Sequence, residues 1–211
     1  MGVEVTPTET LRYQEPLRDL DIAGQLVTEM AVATVFPDFQ RAWQDFLIRI
    51  ERAWEYTERA GKGERRFQQW VSPYVHQKKR DPLLAFIYHA RHAETHAVAP
   101  TVDHPFKLMI RDRFGHPFRI DSIKTSLEEG VLTIDVDTAA EDSLLDYVAV
   151  PVPSSPKLVR FYNRGKWYEP PKTHLGKPLV SLHPVDVAKH GLAFYSAFVN
   201  EAKFRFCGSR A

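Results

Sequence analysis

Apolar residues recur at helical spacing through the first half of the chain and alternate through much of the second. Leu17, Leu20, Ala23, Val27 and Met30 repeat every three to four positions and predict a helix over residues 16–34, weakened at Gly24 by about 1 kcal/mol relative to alanine. Pro37 and Asp38 restart the chain as a second predicted helix. Its stripe of Phe39, Trp43, Phe46, Leu47, Ile50, Ala53, Trp54 and Thr57 opposes a polar face of Arg41, Asp45, Arg49, Arg52 and Glu55. Gly61 and Gly63 end it, and Trp43 and Trp54 are assigned to packing because they lie in the stripe. Residues 64–75 read as a shorter helix carrying Phe67, Trp70 and Val71, with Pro73 near its end. Asp81 and Pro82 then form an N-cap and first-turn proline, opening a helix of about four to five turns that Pro100 limits.

Beyond Pro105 the period falls to two. Segments 106–111 and 117–120 flank Phe114-Gly115-His116 as a predicted hairpin, and 131–136 alternates after a turn at Gly130. Further strands are predicted at 147–152 and 158–162, followed by a tight turn at Asn163-Arg164-Gly165 into Lys166-Trp167-Tyr168. Pro151, Pro153, Pro156, Pro170, Pro171 and Pro178 blunt sheet edges, which fits an antiparallel sheet and not a parallel one. His174, beside Lys172 in a segment rich in Pro and Gly, reads as a turn residue.

A last helix opens at Pro184 with Asp186 in its first turn. Its stripe of Ala188, Leu192, Tyr195, Phe198, Val199, Ala202 and Phe206 needs a surface to cover it, and the preceding helices supply one. The expected fold class is therefore α+β: an up-and-down helical bundle with a small antiparallel β-sheet inserted before the last helix. The expected bundle comprises 1–104 and 180–211, and the insertion 105–179.

Thirteen Phe, four Trp and eight Tyr in 211 residues exclude a disordered chain. The lone cysteine, Cys207, forms no internal disulfide, and no apolar run reaches membrane-spanning length, so a cytoplasmic protein away from membranes is expected. A net charge of +1 hides strong local imbalance. Residues 62–80 hold Lys62, Arg65, Arg66, Lys78, Lys79 and Arg80 against Glu64, and 157–177 hold Lys157, Arg160, Arg164, Lys166, Lys172 and Lys177 against Glu169. Acidic residues crowd 121–146. If the fold joins the two basic segments, Lys78, Lys79, Arg80, Arg164 and Lys166 are the candidates to line a phosphate-binding crevice.

On the helix that starts at Asp81, Leu83, Phe86, Ile87, Ala90 and Ala97 share one side. His89, His92 and His96 fall nearly opposite, toward water or a second subunit, with Arg91 and Glu94 at the border. The hexad Arg91-His92-Ala93-Glu94-Thr95-His96 resembles the R-x4-6-H motif of HEPN-domain proteins, including a polar residue directly after the arginine, commonly Asn and here His92.

The resemblance implies a metal-independent endoribonuclease, or a catalytically inactive RNA-binding or dimerisation relative, built as a homodimer of paired motif helices. It implies no cofactor, RNA as partner, a toxin-like role and a cognate inhibitor protein. On this reading His96 is the acid/base, Arg91 binds the phosphate, His92 is an auxiliary polar group and Glu94 orients a neighbour. Arg91 and His96 are about 140° apart around a straight α-helix, so they converge only where the helix end unwinds or a partner completes the set. A rival reading takes His89, His92 and His96, at i, i+3 and i+7, as three ligands of a metal hydrolase, although no carboxylate joins their line.

Overall fold

The computed structural model describes residues 12–97, 99–112, 122–128, 131–137, 147–153 and 155–207. Helices α1 (Gln14–Val32), α2 (Phe36–Gly61), α3 (Arg65–Arg80), α4 (Pro82–His92) and α5 (Pro184–Phe206) form a bundle, and the strands fall between α4 and α5. The α+β arrangement is the expected one. Its core is drawn from the predicted stripes: Trp43, Phe46, Leu47 and Ile50 of α2, Leu83 and Ile87 of α4, and Tyr195 and Phe198 of α5 are fully buried. Helix α5 packs on α1, α2 and α4, with Phe198 stacked 4.0 Å from the Trp54 ring, so the closing stripe is buried where the bundle needed a fourth wall.

Helix α3 runs to Arg80, through Pro73, where the sequence predicted an end near 75. Proline removes one intrahelical donor and leaves the carbonyl four residues earlier, on Gln69, without its partner. Gln69 and Pro73 are both exposed, so the freed carbonyl is on the solvent side and the helix continues.

Helices α2 and α3 approach closely at Gly61. A Cβ built on Gly61 would lie 2.2 Å from the ring of the buried Phe67, at the point where α2 hands over to α3. Gly61→Ala is expected to destabilise the fold by about 1–3 kcal/mol, because the ring has no room to retreat. Urea denaturation measures this, and an unchanged midpoint would disprove the tight contact.

The chain divides into two units, 1–104 with 156–211, and 105–155. The insertion therefore ends at 155 and not at 179. Residues 156–179 belong to the bundle because β6 (Lys157–Leu158) pairs with β1 (Val102–Asp103), and Val159 N–H bonds to the Thr101 carbonyl at 3.0 Å. This switch of partner splits the strand predicted at 158–162. Next come β7 (Phe161–Asn163) and β8 (Lys166–Tyr168), joined by Arg164 and Gly165 at φ 50° and 80°, the positive-φ pair that a two-residue hairpin turn requires. Strands β9 (Thr173–His174) and β10 (Lys177–Pro178) form a second such hairpin through Leu175 and Gly176.

Within 105–155, β2 (Phe106–Asp112) pairs antiparallel with β5 (Tyr147–Pro153), and β3 (Ser122–Glu128) with β4 (Val131–Asp137). The observed partner of β2 is thus β5, which offers a seven-residue ladder. The predicted partner at 117–120, its turn at 114–116 and the turn at Gly130 lie outside the described residues.

Asp81 does more than begin α4. One oxygen, Oδ1, accepts from Leu84 N–H and from His174 Nδ1, both at 3.0 Å, and Oδ2 accepts from Leu175 N–H at 2.6 Å. The carboxylate caps the helix and staples the β9–β10 hairpin to its start, so His174 holds the fold together here.

Candidate functional site

Helix α4 buries Leu83, Leu84, Phe86, Ile87 and Ala90, which places Arg91 and His92 at its half-exposed end. There the α-helix gives way to a π-turn over Ala93–Ala97. Closure from i to i+5 widens the turn, and such turns recur at functional sites. Ala93 is buried against the core, and its carbonyl accepts from Ala99 N–H at 3.2 Å, while the Thr95 hydroxyl donates to the Arg91 carbonyl at 2.7 Å. The widening takes in the last four residues of the hexad, 93–96, and Ala97.

Glu94 is held from three directions. Its Oε1 accepts from both the N–H and the hydroxyl of buried Thr101 at 2.7 Å, and its Oε2 accepts from Gln44 Nε2 at 2.8 Å. Thr101 in turn accepts from the Trp43 indole at 2.9 Å. This network ties the π-turn to α2, so Glu94 holds the segment in place through both of its oxygens.

Arg91 Nη1 lies 3.8 Å from Glu55 Oε1, a long and partly exposed contact that is worth little by itself. Its Nε is buried and has no hydrogen-bond partner among the described residues. The guanidinium is thus oriented without being saturated. The His92 ring meets the edge of Tyr88 at 4.9 Å. His96 belongs to the π-turn by its backbone, and its side chain lies outside the described residues.

His89 departs from the expected exposed line. Its ring stacks 4.0 Å from Tyr168 of β8, its Nε2 is 2.9 Å from the Tyr168 hydroxyl, and its Nδ1 is 3.3 Å from Asn163 Nδ2. The Asn163 amide nitrogen can only donate, so Nδ1 accepts and Nε2–H donates to the Tyr168 oxygen. Burial, then the charges of His92, Arg164 and Lys166, push the imidazole down to about pKa 4, which keeps it neutral. With both nitrogens engaged, His89 offers no lone pair to a metal, and the His89, His92, His96 ligand line loses its first member. Among the described residues no three His, Cys, Asp or Glu side chains gather to hold a metal ion.

The two basic segments are treated unequally. Lys78 is buried inside the bundle, 2.7 Å from Glu51 and beneath the Trp54, Tyr88 and Tyr195 rings, so it leaves the predicted surface set. Three aromatic faces and a carboxylate compensate there for the hydration it has lost. Lys79 and Arg80 remain exposed. Arg164 and Lys166 are exposed too, and they act electrostatically on His89, so the second segment does reach the motif helix. A cavity of about 500 Å³ opens between α2, α3 and α4, lined by Glu55, Glu58, Lys79, Tyr88 and His89 among others. Burial raises the Glu58 carboxyl above its ordinary value, against the opposing pull of Lys78.

Sequence reasoning passed over Tyr162 and Trp167, which share the outward face of the β7–β8 hairpin. The signal was present: a two-residue turn at Arg164-Gly165 fixes the register and pairs those two rings. Comparison of the chain with known protein families, with curated proteins and with solved structures finds no match. No helix among the described residues is long and apolar enough to cross a membrane.

Proposed function

We propose that this chain is a HEPN-like, metal-independent endoribonuclease that works as a homodimer. The observation that carries the reading is the π-turn at Ala93–Ala97, which begins two residues after Arg91 and takes in His96. A straight α-helix sets Arg91 and His96 about 140° apart, and the wider turn between them reduces that angle. Arg91 is half-exposed and its Nη1 is held only by the long contact to Glu55, so its terminal nitrogens suit a phosphate oxygen that gains charge as the phosphorus becomes crowded. His96 is the proton carrier. In the reaction the 2′-oxygen bonds to phosphorus as its proton passes to one imidazole, and the bond to the 5′-oxygen breaks as a second imidazole protonates that leaving group. Two-fold pairing supplies the second imidazole. His92 is an auxiliary polar group.

Purified protein is expected to cleave mixed RNA in excess chelator, with His96→Ala lowering the rate about 10²–10⁴-fold and Arg91→Ala also losing most of it. Activity abolished by chelation and restored by zinc would overturn this reading. A second reading, a catalytically inactive RNA-binding or dimerisation module, is favoured by the contact of Arg91 with Glu55 inside its own protomer. RNA bound without cleavage would select it.

A further inference from the structure

The β7–β8 hairpin has two unlike faces. On one, Phe161 packs edge-on against Phe86 at 5.1 Å while Tyr168 and Asn163 hold His89, so this face is anchored on α4. On the other, Tyr162 and Trp167 stand directly opposite each other across the ladder, their ring centroids 5.4 Å apart. They are 51% and 54% exposed. Two large rings left in water on a rigid, anchored hairpin form a small apolar surface that calls for an occupant.

The charge around them says which. The Arg160 guanidinium lies 5.0 Å from the Trp167 ring, and Arg164 and Lys166 flank the turn, both exposed. From Lys157 through Tyr168 there is no carboxylate, and Glu169 is the first to follow. Exposed rings alternating with cations match a polymer that alternates flat bases with phosphates. A duplex does not fit, because its bases are already stacked on one another and show only their edges.

We propose that the hairpin is a stacking platform for single-stranded RNA, with bases on Tyr162 and Trp167 and phosphates on Arg160, which lies over the Trp167 ring, and on Arg164 at the turn. Strand β7 also lies against the π-turn, and the proposed path of the RNA runs from the platform toward that turn. That last step rests on the endoribonuclease reading. The platform itself does not.

The test uses the full chain and a fluorescein-labelled, mixed-sequence 2′-O-methyl oligoribonucleotide of about twelve nucleotides, which lacks the attacking hydroxyl. Anisotropy is expected to show that Trp167→Ala and Tyr162→Ala each weaken binding roughly 5- to 100-fold, while Trp167→Phe keeps most of it. Arg164→Ala is expected to reduce the slope of log affinity against log salt by about 0.7. A blunt duplex of equal length should bind more weakly and ignore Trp167→Ala. The proposal is overturned if the oligonucleotide does not bind, if Trp167→Ala binds as wild type, if the duplex suffers the same loss, or if only anionic vesicles bind. Loss of binding in Trp167→Ala with no cleavage by wild type, or with cleavage intact in Arg91→Ala, keeps the platform and rejects the endoribonuclease. Normal binding in Trp167→Ala, with cleavage abolished in His96→Ala, does the reverse.

Discussion

Glu51→Ala is expected to lower the stability of the fold by about 3–5 kcal/mol, because it strands a buried ammonium. Glu51 is 1% exposed and takes two partners, Lys78 through Oε2 at 2.7 Å and the Tyr195 hydroxyl through Oε1. Burial, followed by the charge of Glu51, drives the Tyr195 phenol well above its ordinary pKa, so the phenol keeps its proton and remains the donor. Lys78 Nζ also sits 4.4 Å from the Trp54 ring centre, which softens its isolation without replacing the lost carboxylate. In a domain whose whole stability is about 5–15 kcal/mol, this single change brings the fold near its threshold. Glu51→Leu combined with Lys78→Met is expected to regain part of the loss, since apolar side chains of similar size replace the buried pair with little penalty while the Tyr195 hydroxyl still lacks its acceptor. Urea denaturation of the single and double variants decides the matter. A Glu51→Ala midpoint close to wild type would mean that the pair is solvated through the neighbouring cavity.

The same pair shows where sequence reasoning stops. Lys78-Lys79-Arg80 reads as a solvated basic run, and nothing local reveals that the first of the three turns inward to a glutamate 27 positions earlier. The helices were legible because each must bury a stripe, and the stripes of α1, α2, α4 and α5 name their own core residues. The Asp81-Pro82 cap and the Arg164-Gly165 turn were legible for a different reason, being local backbone chemistry. Contacts between distant segments were not. His89 lies opposite the α4 stripe and reads as open to solvent, yet a hairpin 74 positions later covers it. That hairpin also moves the insertion border from 179 to 155. The π-turn was illegible because Ala93-Glu94-Thr95-His96-Ala97 is short and carries too few large apolar residues for a change of period to register. The hexad names the residues of this segment, and only the fold supplies their contacts. Arg91 meets Glu55 at long range, and Glu94 is bound by Thr101 and Gln44.

Glu94→Ala is expected to destabilise the fold by about 2–3 kcal/mol and to reduce any cleavage through misplacement of the π-turn. The variant leaves the Thr101 N–H buried without an acceptor and ends the chain of hydrogen bonds that begins at the Trp43 indole. An orphaned buried donor costs more than the net worth of the bond it made, so the loss exceeds that of a surface glutamate. Glu94→Gln separates positioning from chemistry. Its amide carbonyl still accepts from Thr101, so it should recover most of the melting temperature and, if Glu94 only positions, most of the rate as well. A carboxylate that carried a proton would leave Glu94→Gln as inactive as Glu94→Ala despite its restored fold. Thermal melts paired with single-turnover cleavage of the two variants distinguish the cases, with Arg91→Ala as the reference for loss of phosphate binding without loss of the Thr101 network.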